Sequence, residues 1–308
     1  MAQLTVDEVL SKVSHQQSLH RAELSRIDLG GAALDRGSFV QAYLRQANLT
    51  GASCEGTDFS KATLVLAVLA DARFDKARFD FAELTRARLE RGIFRELHAP
   101  KTKFHGAHLT EADLSFATLT QANLSNAIGH RTHFKWANLV KAKLVDADFS
   151  EANFDGADLT RSRCNRSVLR SASFAKADLE AACLIDASLD GATLTEANLL
   201  NADLVNARLD GAVLMQSQAD WSILNNASLI ETDWAGASLM GAQLENANLA
   251  GANLAGVNLQ QANLENANLT AVDLTDAQVA GAIFTDVQGL TDAQVDWLKQ
   301  NGALNVSA

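Results

Sequence analysis

From Leu24 to Phe284 an apolar residue falls on every fifth position without one inserted or deleted residue, so the central positions are all those whose numbers end in 4 or 9. Fifty-three positions belong to this series and forty-six of them are Leu or Phe; the exceptions are Cys54, Ala99, Gly129, Cys164, Ala219, Trp234 and Val279. Two residues earlier, 39 of the 53 are Ala. The beat is clearest over Ala242 to Leu269, AQLENANLAGANLAGVNLQQANLENANL. Nothing else in the chain restricts its fold as much.

A fixed short period means a stacked solenoid whose units bury their apolar faces only against their neighbours. Five is the wrong number for an α-helix, which places apolar residues at i, i+3, i+4 and i+7, and for a long strand, which alternates strictly. A spacing of two puts both apolar side chains on one face of a short extended piece. The three remaining residues must turn the chain, so Ala and Leu point in and the rest point out.

The motif A(D/N)LXX, present as Ala112-Asp113-Leu114-Ser115-Phe116, Ala122-Asn123-Leu124-Ser125-Asn126 and Ala202-Asp203-Leu204-Val205-Asn206, resembles the pentapeptide-repeat family. The resemblance covers most of the chain. It implies an all-β fold, a right-handed quadrilateral β-helix with four pentapeptides per coil, a number that the five-residue period alone does not supply. One internal check agrees: Phe74, Phe94, Phe134, Phe154 and Phe174 share a number modulo 20, as do Phe39, Phe59 and Phe79. Rings stacked on rings would fill one side of the core. The two open ends of such a rod expose strand edges that need covering.

Both ends offer a cover. Thr5 to Glu8 reads as a capping box ahead of Val6, Val9, Leu10 and Val13 at helical spacing. Past Phe284, where the beat stops, Leu290, Ala293 and Trp297 with Leu298 beside them predict a second helix, with Thr291 and Gln294 as its capping box and Gly302 as its stop. The expected organisation is a capping helix over 1–18, the β-helix over 19–289, and a capping helix and tail over 290–308. Short N- and C-terminal helices thus complete the fold class. In some relatives such a terminal helix makes a dimer, so the chain is read as a monomer or as a dimer through its C-terminal helix.

Two places weaken the beat. Leu97, His98, Ala99 and the only proline, Pro100, fall within one turn's length, which predicts a local bend or a lost hydrogen bond. Gly129 at a central position is the second.

With 308 residues two domains would be the default, but the unbroken phase argues for one continuous column. The first twenty residues lack the apolar core of a signal peptide, and the longest uncharged run, Asn246 to Leu264, carries Asn or Gln throughout and spans no membrane. The expected location is the cytoplasm. Cys54 and Cys164 sit at central positions and read as small buried apolar residues. The net charge of −11 hides an asymmetry: residues 181–308 hold two basic and fifteen acidic residues, whereas residues 21–110 hold fourteen basic and eleven acidic.

With four pentapeptides per coil, residues twenty apart are surface neighbours. One edge then collects Lys61, Lys101, Lys103, Lys141, Lys143, Arg161 and Arg163, interrupted by Phe81, Gln121 and Asn123. This basic ridge is either a solvated face or a guide for an acidic partner. Phe116 and Trp136, one coil apart at outward positions, form an exposed aromatic pair that binds a partner or packs under long neighbours. Trp221 is an isolated outward instance. His98, His105, His108, His130 and His133 cluster in sequence, but on a solenoid each close pair straddles a corner, so no metal or other cofactor is expected. No nucleophile, base and orienting acid converge, and no glycine-rich phosphate loop appears. An enzyme is not expected.

Two functions compete. The first is a rod-like, non-enzymatic scaffold for protein partners. The opening TVDEVLSKV and SLHRAELSRIDL looks like that of pentapeptide-repeat proteins at bacterial type VI secretion loci, which gives the scaffold its sharpest form, an adaptor for a secretion system. The second is a DNA mimic that acts on a type II topoisomerase such as DNA gyrase, as certain pentapeptide-repeat resistance proteins do. Duplex DNA carries one charge per roughly 1.7 Å, so the coils from Ala181 to Phe284, about 25 Å at the strand spacing, would need about 15 negative charges; they hold twelve acidic residues and one basic. The density is close, but the acids scatter over several rows with only Asp190/Asp210 and Glu245/Glu265 as direct neighbours. The scaffold is preferred, and direct binding of nucleic acid is not expected.

Overall fold

The computed structural model describes residues 4–306, and the chain divides into two compact units with the boundary between Asp158 and Leu159. Each unit is a right-handed quadrilateral β-helix. Within each, the residue before a central position pairs in parallel with the residue twenty further on, as in Glu23↔Tyr43↔Thr63↔Glu83 and Asp203↔Ile223↔Gln243↔Asn263. Four such pairs per twenty residues define four sides and confirm the four pentapeptides per coil.

Backbone donors dictate the rest of the pentapeptide. The central N–H donates to the following coil (Leu44 N to Thr63 O, 2.8 Å), and so does the N–H two residues on (Gln46 N to Val65 O, 2.9 Å). The N–H before the centre donates to the preceding coil (Thr63 N to Ala42 O, 2.9 Å), and that of the alanine closes a corner onto the previous centre (Ala47 N to Leu44 O, 3.0 Å). This leaves one donor in five, that of the residue after the centre. The Asn or Asp of A(D/N)LXX takes it: Asn48 Oδ1 accepts from Thr50 N at 3.0 Å, and Asp113 Oδ1 from Ser115 N at 3.0 Å. The second letter of the motif is therefore a corner cap, which gives this amide a partner inside its own pentapeptide.

Each corner combines this closing bond with a positive φ two residues after the centre, 59° at Gln41 and 58° at Lys61, the signature of a type II turn. Pro100 occupies the second position of such a turn, whose N–H the ladder never uses. The expected lost hydrogen bond is thus absent: Ala99 N reaches Thr118 O at 2.8 Å, Lys101 N reaches Thr120 O at 2.9 Å, and Pro100 O accepts from Phe81 N at 3.1 Å.

Leu, Phe and Ala of the repeat are buried nearly throughout. The phenylalanine columns form as the numbering implies, with Phe39–Phe59, Phe59–Phe79 and Phe74–Phe94 stacked at 5.0 Å. Gly129 is filled from the next coil, since the Phe149 ring occupies the space its side chain would need. Where Thr replaces the inward Ala, its hydroxyl donates to a backbone carbonyl, as Thr57 does to Leu34 O at 2.8 Å and Thr102 to Phe79 O. Of the inward serines, Ser167 and Ser222 do the same, Ser162 meets Cys164 Sγ, and Ser217 Oγ has no partner among the described residues.

Helix α1 spans Val6–Ser14 behind the Thr5/Glu8 capping box and buries Val9 and Val13, the latter against Gly37 of the first coils. Helix α2 spans Asp292–Gln300 behind the Thr291/Gln294 capping box. Its buried side chains are Val295 and Leu298, so of the face read from Leu290, Ala293, Trp297 and Leu298 the structure buries Leu298, leaves Trp297 half-buried and Ala293 exposed, and adds Val295. The ladder also outlasts Phe284: Leu269 N donates to Gln288 O, and after α2 the tail returns to place Leu304 O on Phe284 N at 2.9 Å. Apolar periodicity could not report this last rung because Leu304 is half exposed.

Candidate interaction surface

Among the described residues no helix is long and apolar enough to cross a membrane. All three cysteines are free, with Cys54 and Cys164 buried. Burial raises both thiols, that of Cys164 to about 12. The clustered histidines separate as the corners require; His98 lies 3.0 Å from Asp80 and His130 3.4 Å from Asp148.

The charged side chains sort into two kinds of row. In unit 1 the row Asp71, Arg91, Glu111, Arg131, Glu151 alternates in sign, one residue per coil. Arg91 holds Asp71 through two bonds of 2.8 and 2.7 Å, and Arg131 reaches Glu111 at 2.7 Å and Glu151 at 3.9 Å. Hydrogen bonding by Arg91 keeps the Asp71 carboxyl below its ordinary value. Asp113 is pushed up by burial, but hydrogen bonds from Ser115 and Arg95 outweigh this and leave it lowered. These pairs neutralise their faces.

The basic ridge is of the other kind. Lys61, Lys101, Lys103, Lys141 and Lys143 in unit 1 are exposed, as are Arg161 and Arg163 in unit 2, and none of the seven forms an ion pair among the described residues. Within unit 1 the row Lys61, Phe81, Lys101, Gln121, Lys141 contains no acid. Phe81 does more than interrupt it: the ring is 52% exposed and Lys101 Nζ lies 5.5 Å from its centroid, within cation–π reach. Sequence reasoning passed over this ring, although its place twenty residues before Lys101 was the available signal.

Phe116 and Trp136 are 58% and 52% exposed. They do not stack on each other; the Trp136 indole lies across Gly156 in the coil after it, where any side chain would collide with the ring. Trp221 covers Gly241 in the same way in unit 2. The outward rings Phe81, Phe116, Trp136 and Trp221 occupy corner positions with φ between 56° and 61°, whereas the exposed ring of Tyr43 stands on a ladder position. Bulky residues are disfavoured in this left-handed region by roughly 1–2 kcal/mol.

The coil geometry brings the two predicted patches to the edges of one side of unit 1. Phe116 and Trp136 stand at the corner where that side begins, and Gln121 and Lys141 at the corner where it ends. Between them lie Thr118, Thr120, Asn138 and Val140, uncharged and at least partly exposed, with Thr118 paired to Asn138 in the ladder. Lys103 and Lys143 lie beyond the lysine corner, one buried residue further along the chain.

Several solved structures are similar. A trypsin-treated variant of QnrB1, described as a plasmid-mediated fluoroquinolone resistance protein, is 20% identical over 72% of this chain and 94% of its own, with a TM-score of 0.41. HetL of Nostoc sp. strain PCC 7120, described as involved in heterocyst differentiation regulation, is 28% identical over 92% of this chain and 98% of its own, with a TM-score of 0.20. Rfr23 of the cyanobacterium Cyanothece 51142 is 42% identical over 29% of this chain and 64% of its own, with a TM-score of 0.22. No curated protein sequence matches. The family model for pentapeptide repeats matches in eight copies over residues 22–53, 52–91, 94–126, 107–146, 147–184, 182–217, 222–261 and 247–286, and on that coverage, with the ladder and corner geometry above, the chain belongs to the pentapeptide-repeat family.

Proposed function

We propose that this protein is a non-enzymatic, cytoplasmic interaction scaffold that docks a protein partner on the side of unit 1 between the Phe116/Trp136 corner and the Lys101/Lys141 corner. The observation that carries the reading is the unneutralised ridge beside exposed rings, in a unit where Arg73, Arg78, Arg88, Arg91, Arg95 and Arg131 are each paired with a carboxylate. Uncompensated charge attracts an acidic partner over a distance, and rings beside it supply the apolar anchor. The partner is a protein and not a nucleic acid, because lysines on every second coil, roughly 10 Å apart, are far sparser than phosphates on a duplex. An adaptor for a bacterial secretion system is the finer form of this reading, and it rests on the N-terminal sequence resemblance. Helix α2 is assigned to capping, since Val295 and Leu298 are already buried.

The alternative, a DNA mimic directed at a type II topoisomerase, needs a continuous track of free negative charge in unit 2. The acids there are largely engaged in structure. Asp190 and Asp210, direct neighbours, share Arg208, and Asp190 also meets Arg170. Asp210 and Asp220 accept from Ser228 and Ser238 and from backbone amides, and Asp233 caps Ala235 N. These engagements favour the scaffold.

The test is affinity capture from the native organism with identification of partners by mass spectrometry, comparing the wild type with a Phe116→Ala/Trp136→Ala double variant. Secretion-apparatus proteins that are lost with the double variant support the adaptor. Topoisomerase subunits retained by both would move the assignment to the DNA mimic.

A further inference from the structure

The Trp221 corner of unit 2 presents an exposed indole among carboxylates. Its six-membered ring rests on Gly241, which has no Cβ to hold it off, and Trp221 N donates to Met240 O at 2.9 Å. One face of the indole is thereby fixed against the following coil, and at 49% exposure the opposite face is open to solvent. Before the corner stands Asp220, with Leu200 and Met240 at the same position in the coils on either side; after it stands Ile223, laddered to Asp203 and Gln243.

Each of the two aspartates commits one oxygen to the fold. Asp220 Oδ1 accepts from Ser238 Oγ and from Met240 N, the latter at 3.0 Å, and Asp203 Oδ1 accepts from Val205 N at 3.2 Å. The second oxygen of each has no partner among the described residues. No Lys or Arg stands at these positions or at the matching ones of the adjacent coils. After Lys176 the basic residues are Arg208, which is held by Asp190 and Asp210, and Lys299. A fixed aromatic face beside two half-free carboxylates, with aliphatic side chains at its rim, is complementary to a guanidinium. That planar group stacks on the indole while its N–H edge turns to a carboxylate; an ammonium brings the charge without the stacking.

We propose that the Trp221 corner binds an arginine side chain of a partner protein, in a segment where apolar residues flank that arginine. The guanidinium lies on the open indole face and donates to the free oxygen of Asp203 or Asp220. The flanking apolar side chains meet Leu200, Ile223 and Met240. The site belongs to unit 2 and does not rest on the docking side proposed for unit 1.

The experiment titrates the isotope-labelled full chain with the peptide Ac-Leu-Arg-Leu-NH2 and with its lysine and citrulline counterparts, following the Trp221 indole N–H and the Ile223 methyl resonances. The arginine peptide moves both signals, and neutral citrulline weakens binding by about tenfold or more, as loss of the cation requires; lysine falls between them. Trp221→Leu abolishes binding as read at Ile223. Should that variant fail to fold, Asp203→Asn/Asp220→Asn decides. It keeps both caps, since Asn123 Oδ1 accepts from Ser125 N as Asp203 does from Val205 N, and Asn225 Oδ1 from Glu245 N as Asp220 does from Met240 N. Its melting temperature stays at the wild-type value while its affinity for the arginine peptide falls about tenfold. The proposal is overturned if the arginine peptide does not bind, or if saturation leaves the Trp221 signal in place. It is equally overturned if the lysine or citrulline peptide binds as tightly, or if either folded variant binds as the wild type does.

Discussion

At the scale of single residues the corner position is the most demanding site of the repeat. One residue in five adopts a positive φ, and Gly, Asn and Asp fill only part of the series; Phe116 at 61° does not suit it. Phe116→Asn should therefore raise stability by about 1 kcal/mol, read as a higher urea midpoint, while weakening partner capture. A lowered midpoint would show that the ring packs on the molecule and serves the fold. The thiols make a second contrast. Cys54 and Cys164 are buried and their ionisation is suppressed, whereas Cys183 is half-buried with Asn165 Nδ2 at 2.9 Å from its sulfur. A maleimide probe should label Cys183 in the folded protein and reach the other two only after unfolding. The inward residues were legible from sequence because burial of Ala and Leu depends on period alone. The stacking direction of Trp136 was not, because it depends on the glycine one coil away.

Among elements, the type II corner and the ion-paired row carry their own tests. Thr120 N has no hydrogen-bond acceptor among the described residues, and its position is that of Pro100 one coil later, so Thr120→Pro should change the melting temperature little. Gln121→Pro should destabilise by about 3 kcal/mol or more, since φ is 58° there and its N–H bonds Val140 O at 2.9 Å. Equal effects of the two would refute this account of the corner. The Asp71 carboxyl is lowered by Arg91, so its contribution is present above the ordinary aspartate value of 3.8 and disappears as pH falls through the lowered one. The stability gap between wild type and Asp71→Asn should accordingly close in acid; a gap independent of pH would mean that the row does not act through charge. Both capping helices could be read from their capping boxes, which are local. The buried face of α2 could not, because the last coil selects Val295 over Ala293.

For the molecule as a whole, stability and recognition should separate. Reversing Lys101, Lys141 and Arg161 to Glu together should leave the melting temperature nearly unchanged, since all three are exposed and unpaired, yet reduce capture of an acidic partner. A large loss of stability would mean that these side chains support the ladder. By itself the sequence determined the period, the inward set and the two caps, because each is fixed by spacing or by hydrogen bonds only a few residues long; the four-sided coil was implied by the family resemblance, with the phenylalanine columns in agreement. Which charges stay unneutralised was decided in three dimensions: whether Arg91 finds Asp71 while Lys101 finds only Phe81 depends on neighbours twenty residues away. The same holds for the end of the ladder, where Leu274 N, Asp276 N and Val279 N have no acceptor among the described residues while Gly281 N and Phe284 N bond Gly302 O and Leu304 O. This arises because α2 leaves the ladder and the tail rejoins it further along the coil, and periodicity carries no record of where a chain returns.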